Sequence, residues 1–276
     1  LETPSTAAVR QINSEYSPNE AKRTKCTASP VILGGSFQID RVIAQTSGAI
    51  NEMNFQIKEK TKAGANYFHN LVINGTSAST GTGYVPNTFD GLKKILTGKS
   101  TEMTTDIDIS TSALLDSNYN ALLDELDTFI ALLAAKPDVL MMNSKMLTKV
   151  KSAARRAGYY DRNKDDFGRT VETYNGIILM DAGQYYNGST TEDVVSTSTP
   201  GSDTYGTTDI YAAKLGLDAF HGISVDGSKM LKTYLPDLQA PGAVKTGEVE
   251  LIAGAVLKNS KMAGVLKGIK LLGKTA

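Results

Sequence analysis

His69, His221 and Cys26 are the chain's whole supply of imidazole and thiol, the groups most often used for proton shuttling, thiol attack and zinc binding. Without carboxylates, one cysteine and two distant histidines cannot close a tetrahedral zinc cage. Gly222-Ile223-Ser224-Val225-Asp226 begins like the turn that exposes a nucleophilic serine, but the second glycine is missing and no histidine follows. Gly81-Thr82-Gly83 lacks the Lys-Ser/Thr of a phosphate cradle and runs into Pro86 instead of a helix. Asp161, Asn163, Asp165 and Glu172 take positions 1, 3, 5 and 12 of a calcium loop, yet Asp166 stands where that loop needs glycine. Asp106 and Asp108 would share one face of a strand, about 7 Å apart, with no further acid or base nearby in sequence. Asn74-Gly75-Thr76 and Asn187-Gly188-Ser189 match the glycosylation pattern, which a cytoplasmic chain never uses. The expectation is no catalytic residue, no cofactor-binding residue and no metal ligand, hence no enzyme and no cofactor.

The composition agrees with a non-catalytic role. At 276 residues the chain can bury a real core, as one large domain or two small ones. Its formal charge of zero gives no global attraction to nucleic acid or to an acidic partner. That neutrality also weakens solubility as a lone monomer and suits a chain that ends in an assembly. A single cysteine excludes an intrachain disulfide and fits a reducing cytoplasm. The longest apolar run, Phe129 to Ala135, is far shorter than the roughly 18 residues that cross a bilayer, so no membrane partner is expected. No signal-peptide pattern opens the chain.

The elements follow from periodicity and punctuation. Residues 1 to about 30 have Leu1, Val9, Ile12 and Tyr16 as nearly their only large apolar groups, interrupted by Pro4, Pro18 and Pro30. Such a segment cannot bury enough surface to order itself, but it can lie along a neighbour as an added strand. Residues 10 to 44 read as two extended segments joined around 18 to 27. No proline falls between Pro30 and Pro86, and Ile50, Met53, Ile57, Phe68, Leu71 and Val72 share one face, so a helix of roughly 40 Å spans about Ser47 to Ile73. Asn74-Gly75 is its stop, by tolerance of positive φ.

Leu115, Tyr119, Leu122, Leu126 and Leu133 predict a second helix over about Ser117 to Ala135, capped by Asp116 or Ser117 and ended by Pro137. Val139 to Met142 is a buried-strand candidate, and Ser144 caps a third helix with Leu147, Val150, Ala154 and Ala157 inward and Gly158 as stop. Asn175-Gly176 between apolar runs predicts a hairpin. Residues 184 to 208 read as a long exposed loop, and strands are expected at Asp209 to Lys214, Lys232 to Leu235 and Glu248 to Leu257. Helices and strands without βαβ alternation give the class α+β. Acidic residues crowd 101 to 140 and basic ones 141 to 170, either as register-setting patches between subunits or as solvated faces within one domain.

The order of these features resembles the tailed-phage major capsid proteins of the Hong Kong 97-type fold. The resemblance is carried by the hairpin with its returning strand, the long proline-free helix, NLVING (Asn70 to Gly75) and Phe89-Asp90-Gly91-Leu92. It continues through Tyr174 to Ile177, Ile210 to Gly222 and Thr246 to Leu251, and spans about Val31 to Leu271. It implies an N-terminal arm (1–14), an extended hairpin loop (15–35), a peripheral domain (36–100 and 236–276) holding the spine helix (about 47–73), and an axial domain (101–235). It places His221 in a turn and favours a maturation cleavage as the reason Leu1 stands first, with a truncated chain as the alternative. It further implies self-association as pentamers and hexamers into an icosahedral shell around double-stranded DNA, assembled in a bacterial cytoplasm with scaffold, portal and decoration proteins. Encapsulin-type compartments are the sister reading; a soluble hydrolase or binding protein is the rival. Some relatives cross-link covalently, for which Lys22 or Lys25 with Asn259 are the nearest candidates, but no glutamate is placed beside Asn259, so non-covalent locking is expected.

Overall fold

The computed structural model describes residues 2–3, 5–23, 28–46, 52–77, 88–158, 161–164, 170–225 and 230–274. Strands β1 (Glu2–Thr3) and β2 (Lys22–Arg23) pair antiparallel, and β3 (Val31–Asp40) leads into helix α1 (Arg41–Thr46) and the long helix α2 (Glu52–Asn74). Then come α3 (Leu92–Leu96), β4 (Glu102–Thr104), α4 (Ser112–Ala131), β5 (Val139–Met142) and α5 (Ser144–Arg156). Strands β6 (Asp161–Lys164), β7 (Thr170–Tyr174), β8 (Ile177–Asp181), β9 (Gln184–Tyr186) and β10 (Thr191–Asp193) follow. The chain closes with β11 (Gly206–Ala213), β12 (Phe220–Ile223), β13 (Leu231–Tyr234), β14 (Val244–Leu257), a 3-10 turn (Ser260–Met262) and β15 (Ala263–Leu272).

A seven-stranded sheet runs β4-β15-β11-β5-β8-β7-β6, parallel at β4/β15 and β5/β8 and antiparallel elsewhere. Its middle strands are covered on both faces, and successive side chains point opposite ways. Leu140 and Met142 join Ile210, Ala212 and Leu266 on the face covered by Leu122, Leu126 and Phe129 of α4 and Met146, Val150 and Ala153 of α5. Val139 and Met141 join Tyr211, Ala213 and Val265 on the other face, with Leu92, Leu96 and Ile73. A strand buried on both sides has no use for alternation, which is why β5 is apolar at every position.

The second sheet is built around β14. Along one side all ten residues of β3 pair with it, from Val31 opposite Ala253 to Asp40 opposite Val244. Along the other side lie β13 (Leu231 opposite Leu251) and, further on, β12 (Phe220 opposite Leu257). Val31, Leu33, Phe37 and Ile39 of β3 are buried on the side where α2 packs, while Ile32, Gly34, Ser36 and Gln38 face outward.

The mixed α+β class, the all-buried β5 and the 175–176 hairpin stand as expected: Asn175 and Gly176 have φ of 50° and 72°, and Tyr174 pairs with Ile177. Other elements differ. Residues 41–44, read as extended, begin α1, because the Asp40 carboxylate accepts from the Val42 N–H (2.7 Å) and Thr46 Oγ1 donates to Val42 O (2.7 Å). Helix α2 ends at Asn74 as expected; its expected first turn lies outside the described residues. Helix α4 begins at Ser112, five residues early, since Thr111 Oγ1 caps it by accepting from Leu114 N–H. It ends at Ala131, where the Ala134 N–H turns to Lys261 O (2.9 Å). The cap of α5 is Asn143, not Ser144.

The stretch 184–208 is not all loop. It holds the β9–β10 hairpin, turned by Asn187 Oδ1 accepting from Ser189 and Thr190 N–H, and buries Val194 and Val195. His221 lies in strand β12 rather than a turn. Residues 1–14 and 15–35, read as arm and loop, share one hairpin through Glu2 opposite Arg23 and Thr3 opposite Lys22, while 31–35 already belong to the β3 ladder. Strand β15 pairs along its length with β11, so the segment 236–276 contributes to the same sheet as 101–235.

Candidate assembly surfaces

The residues first suspected of chemistry are dispersed. His69 is exposed on α2, and His221, opposite Val256, has its Nδ1 buried without a hydrogen-bond partner among the described residues. Ser224 Oγ donates to Ile252 O (2.7 Å), a tie between backbone segments. Cys26, Gly81 to Gly83, Asp165, Asp166 and Asp226 lie outside the described residues. The would-be calcium loop is instead an antiparallel ladder, with Arg162 opposite Glu172, and Glu172 forms an ion pair with Lys151. Strand β4 ends at Thr104, but the chain continues beside β15, with Asp108 in a parallel bridge to Lys270. Asp106 pairs with Lys270 (2.7 Å), whereas Asp108 accepts from Ser110. Among the described residues no three His, Cys, Asp or Glu side chains group as metal ligands, and no helix is long and apolar enough to cross a membrane.

What the sequence motifs do build is a junction at the end of α2. Gly75 does not adopt positive φ; it is glycine because a Cβ there would meet Phe89 O at 2.4 Å and Leu71 O at 2.5 Å. A Cβ on Gly91 would meet Ile73 O and Leu71 O at 2.6 Å and Gly75 N at 2.7 Å. Gly91 N–H donates to Gly75 O (2.8 Å), Phe89 packs on Phe68 with ring centroids 5.9 Å apart, and Leu92 is fully buried. The Asp90 carboxylate accepts from Ser77 N–H, Ser77 Oγ and Lys94 Nζ. Asn74 Nδ2 reaches Val194 O (2.7 Å), tying the helix end to the segment after β10. The junction is structural, and it fixes the long helix against the seven-stranded sheet.

The uneven charge is partly consumed inside the chain. Arg156 pairs with Asp116 across the α4–α5 contact, Lys214 with Asp138 (2.7 Å), and Lys267 with Glu102. The Lys267 ammonium and the Gly98 N–H hold the Glu102 carboxyl below the usual range. Nearby, burial pushes the Asp209 carboxyl up, against the Gly268 N–H and Lys267, and burial pushes the Tyr211 hydroxyl up as well.

The surface least satisfied by its own chain is the hairpin. Every residue from Ser5 to Ala21 is exposed, with Val9 at 101% and Ile12 at 92% of full exposure. At its tip Arg10 donates to Ser14 O (2.9 Å), stacks on Tyr16 (5.7 Å to the ring centroid), and Asn13 takes φ 66°. A second exposed apolar set lies on the β14 sheet and its loops: Ile32, Met230, Leu231, Tyr234, Leu235 and Val244. Surplus apolar exposure of this kind marks contact surfaces. The sequence exposed the hairpin by its poverty in apolar groups; it gave no signal for the sheet set, whose residues alternate like any half-buried strand.

This arrangement defines a class: a long helix on a β14-centred sheet, a two-faced seven-stranded sheet, and an outlying hairpin form the Hong Kong 97-type capsid fold. Solved structures share it at low identity. The SrpI encapsulin of Synechococcus elongatus PCC 7942 is 12% identical, with 94% of this chain and 80% of that one covered, at TM-score 0.67. A chain of Mycobacterium phage Ogopogo is 12% identical over 97% and 85%, at 0.56, and the capsid of cyanophage P-SCSP1u is 13% identical over 100% and 82%, at 0.53. No curated protein sequence matches the chain. The SU10 major capsid protein family matches residues 30–178, more than half of the chain, and the chain belongs to that family: it is a phage major capsid protein.

Proposed function

We propose that this chain self-assembles, as pentamers and hexamers, into an icosahedral head shell that encloses phage double-stranded DNA. Assembly takes place in the bacterial host cytoplasm, with scaffold, portal and decoration proteins as partners. The observation that carries the reading is the hairpin: residues 5–21 hold exposed Val9, Ile12 and Tyr16 away from both cores of their own chain. Lent to neighbours, many modest contacts of this kind add up by multivalency rather than through one tight interface. The DNA is enclosed without sequence-specific binding, and the net charge of zero gives no global attraction to it.

On this reading the chain divides into arm (1–14), hairpin loop (15–35), peripheral domain (36–100 and 236–276) and axial domain (101–235), with β15 tying the last two together. The role is architectural and no catalytic residue is assigned. On this reading locking between subunits is non-covalent, since the sequence places no glutamate beside Asn259 to promote a cross-link. Boiled, denatured particles then run as a single monomer band, and a ladder of multimers would contradict this.

The fold likeness to the encapsulin supports a second reading, a shell filled with protein. Electron microscopy of particles from the expressed chain and from the native source, with nucleic-acid content measured on the latter, separates the two. Uniform DNA-filled shells are expected; protein-filled shells would favour the compartment, and monomers or dimers alone would overturn both. Deleting residues 1–30 is expected to leave a folded body that forms no stable shell.

A further inference from the structure

We propose that Asn175 is a site of spontaneous, backbone-assisted deamidation, selected by the fold from three Asn-Gly pairs. The inference goes beyond the shell-subunit reading and does not depend on it. The pairs are Asn74-Gly75, Asn175-Gly176 and Asn187-Gly188. In such a pair the glycine amide nitrogen, once its proton has passed to solvent, can attack the preceding Asn Cγ, because glycine has no Cβ to block the approach. The new C–N bond closes a five-membered succinimide, and the side-chain amide leaves as ammonia, taking a proton from water. Water then adds to one of the two ring carbonyls and reopens the ring as aspartate or isoaspartate. Water is the only co-reactant and nothing is oxidised or reduced. Each conversion adds one negative charge to the chain.

Two of the pairs are held away from this reaction. Gly75 N–H donates to Leu71 O (2.9 Å), and Asn74 Nδ2 donates to Asn70 Oδ1 (2.9 Å) and Val194 O (2.7 Å), so nucleophile and amide are both tied. At Asn187, Oδ1 accepts from the Ser189 and Thr190 N–H groups, each at 2.8 Å. Its Nδ2 donates to Thr190 Oγ1 (3.1 Å) and Glu192 Oε1 (2.6 Å). The amide carbon is thereby pinned, and the Glu192 carboxylate opposes the negative charge that develops on the attacked group. Asn175 differs in each respect. With Gly176 it forms the exposed two-residue turn between β7 and β8. Among the described residues neither the Asn175 side chain nor the Gly176 N–H has a hydrogen bond, so both are free to rotate into attack. The charge beside the turn also has the favourable sign: a Cβ on Gly176 would lie 3.2 Å from Lys136 Nζ. That ammonium favours the anionic tetrahedral stage and the carboxylate that follows it.

The test is peptide mapping by mass spectrometry after the full chain has aged in warm, mildly alkaline buffer, with a urea-unfolded sample aged in parallel. Conversion is read at each Asn-Gly peptide, and electron-transfer fragmentation tells isoaspartate from aspartate. In the folded chain Asn175 is expected to convert about tenfold faster than Asn74 or Asn187, roughly the effect of the hydrogen bonds that must break at the other two. In the unfolded chain the three rates are expected to converge. Similar rates in the folded chain, a lead for Asn74 or Asn187, or the same ranking in urea would overturn selection by the fold. Lys136→Gln is expected to slow conversion at Asn175 alone; an unchanged rate there would overturn the part given to the ammonium. None of these outcomes bears on shell assembly, which is tested separately by microscopy.

Discussion

The hairpin and the seven-stranded sheet are opposite solutions to the same problem of paying for chain order. In the sheet and the helix α5 that covers it, Leu140, Met142, Met146 and Val150 are fully buried and each contributes on the order of 2 kcal/mol by leaving water. In the hairpin, Val9 and Ile12 contribute almost nothing to their own chain, while the extended backbone from Ser5 to Ala21 keeps its entropy cost. The first region is stable by intramolecular packing and the second is completed only from outside. A shell subunit needs both, since its body must hold one shape while its outlying contacts adapt to different neighbours.

Substitutions can sharpen that contrast. Gly91→Ala puts a Cβ into three backbone atoms at the α2 junction, and a loss of about 3 kcal/mol is expected, read as a lowered denaturant midpoint. Asn143→Ala removes the α5 cap and the donor to Val195 O, Thr197 and Thr208, for roughly 2 kcal/mol by the same measurement. Gly64→Ala should act the other way. Its Cβ meets nothing within 4 Å and the position is inside a helix, so stability rises by about 0.5–1 kcal/mol. An unchanged or lowered midpoint for this variant would contradict the open, helical setting of Gly64.

The smallest effect concerns pH. Glu102 has its folded pKa depressed by Lys267, so its contribution is present above the unfolded value and is lost as pH falls through the folded one. Glu102→Gln should therefore flatten the acid side of the stability profile and leave the variant weaker at neutral pH. A parallel downward shift at every pH would contradict the linkage.

The elements legible in the sequence were those set by local chemistry. Asn175-Gly176 needs only its own positive φ, and Val139 to Met142 declares double-sided burial by being apolar throughout. The misreadings arose where a distant partner decides. Thr111, Asp116 and Ser117 are all competent caps, and the outcome is set by burying Leu115 in the first turn. Ser/Thr/Gly composition over 184–208 hid Val194 and Val195, whose burial follows from Asn74 and the seven-stranded sheet. Gly75 looked like a positive-φ stop, but what demands glycine is the backbone of Phe89 arriving from beyond the next segment. Of the candidate surfaces, the hairpin could be read from proline spacing and missing apolar groups; the exposed apolar set on the β14 sheet could not, because its residues alternate like any half-buried strand.

Amide hydrogen exchange of residues 5–21, compared between free subunits and assembled shells, reads whether the hairpin is ordered only by its neighbours. Fast exchange is expected in the free subunit, slow exchange in the shell, and little change in β5 and β11, which are protected in both. Slow exchange of the hairpin already in the free subunit, or fast exchange persisting in intact shells, would contradict ordering by neighbours.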